Sequence, residues 1–440
     1  MGDTSKMNAE QLEIRLMPHI YEMEQRGVSL DGAGLAKDYD FYFFKMDQLD
    51  DQIHERLGKV FDIDSNEDLA NAIQAKYPDA AFFPTPGGAR SVAKDSLTNA
   101  IQSVDKDVLA KLLIRGALAT SLRTFIGPWH RQYQDNGRLY IKWNQFRNYT
   151  DTGARTGRLS SSPNLQNIPV DWEQLKGRLK NCDDYQVGFD LPQIRKYIIP
   201  DPGKTFVGGD YQAQEMRLLA HFVGGALLER ILAEPTSDIH QIAADIAQLT
   251  RPVAKTLGFA VLYGAGVGRI AQSIDCSTEK AAWIKAQYLR ALPEIKQFSK
   301  AVTDQGKRLG GAITTINGRK YVTDTPKQAV NGGRTMTYEY KLVNYKIQGS
   351  AAEQTKLAML NYVEKNEGQL VLSVHDQLVA QVDEGVTPTK LGEAMTEAFA
   401  ERLRYQIVVD LAEGPNFAKT KGGGTRALGM KPTNTVTPEL

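Results

Sequence analysis

Apolar residues recur every three to four positions near the start of the chain, at Leu12, Leu16 and Ile20 and again at Phe41, Phe44 and Leu49. That period is helical, so residues 8–60 are predicted to form long helices with these side chains on the buried stripe. The run FPTPGG, Phe83 to Gly88, interrupts the pattern with turn chemistry. Helical spacing resumes from Leu109 to Leu122, and after Asp135-Asn136-Gly137 the segment Leu139 to Phe146 reads as a strand. Residues 151–170, DTGARTGRLSSSPNLQNIPV, follow neither period. So long an irregular run in a compact chain is functional or mobile. From Thr205 an apolar run leads to Asp210, and a helical pattern then carries Leu218, Leu219 and Phe222. Helices are predicted to dominate residues 237–310. Leu370–Val374 and Leu378–Val382 read as two strands joined tightly through His375-Asp376. Past Gly414, the triplet Gly422-Gly423-Gly424 and Pro432 predict a frayed end.

At 440 residues the chain exceeds what one core organises, so two or three domains are expected. Hydrophobic residues at 42% and charged residues at 24% exclude a disordered chain, a collagen and a coiled-coil rod. No run reaches the roughly 18 apolar residues of a membrane helix, and the start, MGDTSKMNAEQLEIRL, lacks the features of a signal or transit peptide. Cys182 and Cys276 are too few for a disulfide framework. A cytoplasmic protein is expected. The net charge of +1 hides an asymmetry. Residues 1–100 carry ten basic and eighteen acidic side chains, whereas residues 251–348 carry sixteen basic and six acidic. The second block suits a polyanion, although charge alone favours a solvated lysine-rich helical face.

Candidate chemistry sharpens that choice. Asp210 sits where a strand gives way to a helix, and Asp376 at a hairpin tip. If their strands are neighbours, the two carboxylates converge; otherwise Asp210 is a helix cap and Asp376 a turn residue. Paired carboxylates without histidine or thiol ligands suit Mg²⁺, which takes the rest of its shell from water and phosphate. Arg251, Lys255, Phe259 and Tyr263 follow at intervals of four, along one helical stripe about 18 Å long at 1.5 Å per residue. Two cations suit phosphates and two aromatics suit a sugar and a base, although an ordinary amphipathic helix has the same spacing.

The segments DYQAQEMRLLAH (Asp210 to His221), RPVAKTLGFAVLYG (Arg251 to Gly264) and VHDQ (Val374 to Gln377) resemble the three polymerase motifs of family A DNA polymerases. RTGRLSSSPNLQNIP (Arg155 to Pro169) and NYKIQGSAAEQ (Asn344 to Gln354) resemble two further segments of that family, in the same order. The resemblance implies an α+β right-hand fold: a thumb over 1–150 with an N-terminal helix leading into the palm, a first palm part with an antiparallel sheet over 151–232, helical fingers over 233–345, and a second palm part with a tail over 346–440. It implies a DNA polymerase that adds dNTPs to a primer on template DNA. Asp210, Asp376 and the Tyr211 carbonyl would hold two Mg²⁺ ions, with Mn²⁺ as a substitute. Lys255 joins the two aspartates as catalytic. Arg251, Lys255 and His240 would grip the triphosphate, Phe259 the sugar and base, and Tyr263 would sit beside the templating position. Glu215 matches the gate against a ribose 2′-hydroxyl. Arg155, Gln166, Asn167, Arg195, Asn344, Gln348 and His375 would contact DNA. A monomer is implied, with proofreading and other replication functions left to separate proteins, since no room is left for an exonuclease domain; the compact form resembles bacteriophage members, which would place it in the host cytoplasm.

Departures from the family pattern matter. Gln212, Ala213 and Gln214 stand where the family usually has Ser-Gln-Ile, and Gln377 replaces a glutamate. Gln214 puts an amide where an apolar side chain packs behind the gate. Phe259 in place of tyrosine implies poor use of dideoxynucleotides. A single-subunit RNA polymerase and a catalytically weak DNA-binding subunit are the competing readings. Glu215 at the gate opposes the first, and the paired aspartates with Arg251 and Lys255 oppose the second.

Overall fold

A computed structural model of the chain describes residues 7–147, 152–274, 276–324, 338–365 and 368–418, and the backbone of 431–436. Helices surround a five-stranded antiparallel sheet whose order runs Lys431–Val436, Val409–Gly414, Lys204–Tyr211, Gln377–Asp383, Gln369–Val374. The expected α+β class is what is found. The strand Lys204–Tyr211 lies at the centre, with Phe206 and Val207 fully buried. Gln377 faces Asp210 from one neighbour and Asp410 faces it from the other. Gly209 lets the helix Thr389–Glu397 approach closely, since a Cβ there would collide with Met395 Sδ. The Tyr211 hydroxyl donates to the Met395 carbonyl at 2.9 Å on the same side.

The helix Lys341–Lys365 is buried almost all round, as a helix at the centre of a multi-element core must be. It packs against the Ala9–Arg26, Gln214–Val223 and Thr389–Glu397 helices. Ala9–Arg26 starts at a capping box between Asn8 and Gln11 and buries Leu12, Leu16, Ile20 and Met23, the stripe its periodicity predicts. Where this helix meets Lys341–Lys365 and the hairpin of Ala312–Thr314 with Lys320–Val322, charged side chains are drawn inside. Lys356 Nζ donates to Glu13 at 2.6 Å and to the Gln145 carbonyl at 3.2 Å. Arg319 pairs with both Glu13 and Glu353.

Three sequence expectations need correction. The helix Gly32–Leu57 forms, but its buried stripe is Leu35, Tyr42, Met46, Leu49 and Ile53. Phe41 and Phe44 fall off that stripe and are 40% and 57% exposed. Phe41 meets Phe189 edge-on, and the Lys45 ammonium sits over both Phe41 and Phe44. The run Leu139 to Phe146 is not one strand. Arg138–Leu139 pairs with Val28-Ser29, and Lys142–Asn144 pairs with Ser160–Ser162, so the chain must turn between two small sheets. Within 152–170 that second strand and a single turn of helix at Leu165–Asn167 interrupt an otherwise irregular path.

As expected, residues 237–310 are helical: Ile239–Ala247, Arg251–Leu262, Val267–Ser273, Thr278–Ala291 and Pro293–Arg308. Gly422 to Gly424 lie outside the described residues. The strand Lys431–Val436 forms one edge of the sheet, and Pro432 is tolerated because the strand is at that edge. Among the described residues no helix is long and apolar enough to cross a membrane.

Candidate active site

Strand register alone brings the two aspartates together. Val374 pairs with Gln377, leaving His375-Asp376 as a two-residue link, and Gln377 lies opposite Asp210. Asp376 therefore sits one position from Asp210 across the sheet, and its carbonyl accepts the Tyr211 N–H at 3.3 Å. His375 adopts a left-handed φ of 56°, a conformation the turn needs and a histidine resists. Gln166 holds it there: its amide donates to the Ser373 carbonyl at 2.8 Å, and its oxygen accepts the His375 N–H at 2.7 Å. Burial, and then the Asp210 charge, push the Asp376 carboxyl up to about 7. Asp210 is not a helix cap. The following helix, Gln214–Val223, begins after Ala213, whose side chain caps nothing.

Arg195 lies buried nearby, its guanidinium 4.5 Å from the centre of the Phe417 ring and one nitrogen donating to the Ile168 carbonyl at 3.4 Å. Burial lowers its pKa to about 10 against the opposing pull of Asp210.

Across the cleft, the helix Arg251–Leu262 buries Ala254, Leu257, Gly258 and Leu262 and leaves Arg251 and Lys255 exposed on the other face. Phe259 is half-buried on that face, and Tyr263 caps the helix end rather than lying within it. The Phe259 and Tyr263 rings stack at 6.1 Å with planes 10° apart. His240, in the first turn of its helix, lies 5.7 Å from Phe259. Asp238 caps that helix through the His240 N–H at 2.9 Å and pairs with Arg251 at 2.5 Å. Burial, then the Lys255 charge, lower the His240 pKa to about 4, so its imidazole is neutral at neutral pH. A cleft of about 500 Å³ joins the two sides, lined by Asp210, Asp376 and Asp410 from the sheet and by His240, Arg251, Lys255 and Phe259 from the helices.

At the far end of the ridge Glu215 is buried among four elements. It pairs with Arg158, accepts the Tyr263 hydroxyl at 3.0 Å, and accepts the Gln348 amide at 3.4 Å. Gln348 also donates to the Tyr263 oxygen at 3.0 Å. Gln214, the amide expected to sit awkwardly behind the gate, is satisfied by the Ala351 carbonyl, Gln354 and Thr355. The other expected DNA contacts are not among the residues that line the cleft. Asn167 is exposed, Arg155 pairs with Asp324, and Asn344 turns a buried oxygen to a place with no hydrogen-bond partner among the described residues. Sequence reasoning missed Arg158, Arg217, Asp238 and Asp410. Arg158 stands three residues after Arg155 in the same motif, and Asp238 precedes His240 as a helix cap would. Asp410 carries no local signal, because only strand pairing brings it to Asp210.

The DNA polymerase family A model matches residues 42–419. The chain is 28% identical over 435 residues to DNA polymerase I of Caldicellulosiruptor bescii, covering 94% of this chain and 47% of that protein. It is 29% identical over 439 residues to DNA polymerase I of Deinococcus radiodurans, covering 96% and 43%. The chain thus spans a little under half the length of these relatives. Its fold is similar to the POL domain of Pol1 from M. smegmatis, solved in complex with DNA primer-template and dNTP, at a TM-score of 0.77 and 24% identity, over 92% of this chain and 70% of that one.

Proposed function

Because the chain belongs to DNA polymerase family A, we propose that it is a template-directed DNA polymerase that adds dNTPs to a primer 3′-hydroxyl. The observation that carries this reading is the shared cleft: two carboxylates set side by side by sheet register share it with two cations and Phe259, on which Tyr263 stacks. Binding DNA alone would need no such carboxylate pair.

The donor set fits a hard divalent cation. Asp376 is raised by burial and by Asp210, a conflict of like charges that a cation relieves. Among the described residues no group of three or more acidic, histidine or cysteine side chains forms a complete cage, so water and substrate phosphates would finish the shell. Asp210, Asp376 and the Tyr211 carbonyl would hold two Mg²⁺ ions, with Mn²⁺ able to substitute, and these supply activation of the attacking hydroxyl and charge stabilisation of the leaving pyrophosphate.

The remaining work falls to the side chains. Arg251 and Lys255 present cations to the triphosphate, and neutral His240 offers a hydrogen bond rather than a charge. Phe259 supplies a face for sugar and base, with Tyr263 stacked behind it toward the template. Glu215, held from three directions, forms a fixed wall where a ribose 2′-hydroxyl would need space. Arg155, Gln166, Asn167, Arg195, Asn344, Gln348 and His375 line the course proposed for primer and template. We assign 1–150 to a thumb, 151–232 and 346–440 to the palm and 233–345 to the fingers of a monomer.

The test is extension of a labelled primer by the 440-residue chain. Template-matched addition of dNTPs in Mg²⁺ is expected, with loss in excess chelator and weak use of rNTPs. Glu215→Ala should admit rNTPs. Nucleotide addition indifferent to the template base would refute the proposal.

A further inference from the structure

Arg217 is 2% exposed and lines the cleft, yet among the described residues it forms no ion pair with the carboxylates that a buried arginine usually seeks. Its Nε donates to the Gln212 carbonyl at 3.0 Å, and its Nη2 donates to the Ser237 carbonyl at 3.0 Å. Nη1 has no hydrogen-bond partner among the described residues. Asp238 and Asp410 act on the Arg217 charge through space, while they bond to Arg251 and to the Gln212 amide. Burying a guanidinium on neutral carbonyls is a poor way to stabilise a fold, because desolvation outweighs what such bonds return.

The two carbonyls it joins belong to opposite sides of the cleft. Gln212 is two residues past Asp210, in a loop pinned further by its own N–H on the Val408 carbonyl at 3.0 Å and its amide on Asp410 at 2.7 Å. The next residue, Ala213, is forced to a φ of 46°, in the left-handed region that costs an alanine energy. Ser237 immediately precedes Asp238, which fixes both the start of the His240 helix and the Arg251 side chain. A single planar fork thus spans from the strand bearing Asp210 to the segment that sets the triphosphate grip.

Resting on the polymerase reading above, we propose that Arg217 is a positioning residue that locks the Asp210 loop to the Ser237–Asp238 segment and adds its charge to those that draw the nucleotide phosphates into the cleft. It touches no reacting atom. Its removal would leave Asp210 and Asp376 in place but let His240 and Arg251 drift from register with them, so nucleotide capture suffers first. A lysine has one donor head and cannot hold two carbonyls in a fixed plane, so charge alone should not restore the function.

Single-nucleotide incorporation by the full chain tests this, with rates normalised to active sites and with melting temperature measured for each variant. Arg217→Lys and Arg217→Met should each raise the dNTP KM by about tenfold or more, the equivalent of one lost charge-assisted bond. The normalised kcat should fall much less, and primer-template affinity should stay near wild type. A purely structural role would lower the active fraction and leave KM unmoved. Unchanged KM in both variants, or full rescue of KM by lysine, would overturn the proposal. So would failure of both variants to fold, since that makes Arg217 a folding residue. A wild-type chain that does not extend primers defeats the polymerase reading itself, a result distinct from any of these.

Discussion

Ala213 shows how far the site constrains a single residue. Its left-handed backbone lies between the strand that ends at Tyr211 and the helix that starts at Gln214, a place where glycine would rest without strain. Ala213→Gly is expected to raise stability by about 1 kcal/mol in denaturant unfolding; a loss of similar size would mean the neighbours prefer the methyl group. His240 makes a second residue-scale claim. Its pKa of about 4 in the fold lies below the ordinary value of about 6.5, so between those limits the unfolded chain binds more protons. Its contribution is therefore intact above pH 6.5 and is lost as pH falls toward 4, by on the order of 3 kcal/mol. His240→Asn should flatten the drop in stability between pH 7 and pH 5; equal drops in variant and wild type would contradict the burial argument.

At the scale of elements, the sheet and the long buried helix do most of the arranging. On the sheet's other contact, Gly209 lets the helix Thr389–Glu397 approach closely, and Gly209→Ala would push Met395 aside at a cost of about 1–3 kcal/mol. The buried charges at Glu13, Lys356, Glu353 and Arg319 tie three elements together. Lys356→Met removes one of the two cations on buried Glu13, leaving Arg319, and should cost about 1.5–3 kcal/mol, the value of a hydrogen bond to a charged group. Arg15→Ala breaks a pair with Glu364 whose partners keep 30% and 17% of their side chains exposed, and should cost about 1 kcal/mol or less. Equal losses in the two variants would show that burial does not set the value of these pairs. The apolar period of Ala9–Arg26 and the helical character of residues 237–310 were legible from sequence because local spacing decides them. The Phe41 and Phe44 error arose where aromatic residues stood one and two positions off the buried stripe, and only the neighbouring elements select which face turns inward.

Across the whole molecule the division is sharper. Asp210, Asp376, Arg251, Lys255 and Phe259 could be picked out in the chain because each carries its own chemistry and lies in a recognisable motif, and the fold gathers them round one cleft. Arg217 and Asp410 could not. One looks like a helical surface arginine and the other like a strand-end acid, until long-range pairing buries the first and sets the second opposite Asp210. Gln166 falls between: its motif was readable, but its grip on the His375 turn depends on a contact 209 positions away. The same long-range pairing underlies the central claim, that sheet register makes Asp210 and Asp376 one chemical unit facing the cationic ridge. Single-turnover incorporation of a matched dNTP by Asp376→Asn, on a bound primer-template in Mg²⁺, tests that claim most directly. The account predicts a loss of about a thousandfold or more in rate, some 4 kcal/mol of transition-state stabilisation, with primer-template binding preserved. Incorporation within a few-fold of wild type would contradict it.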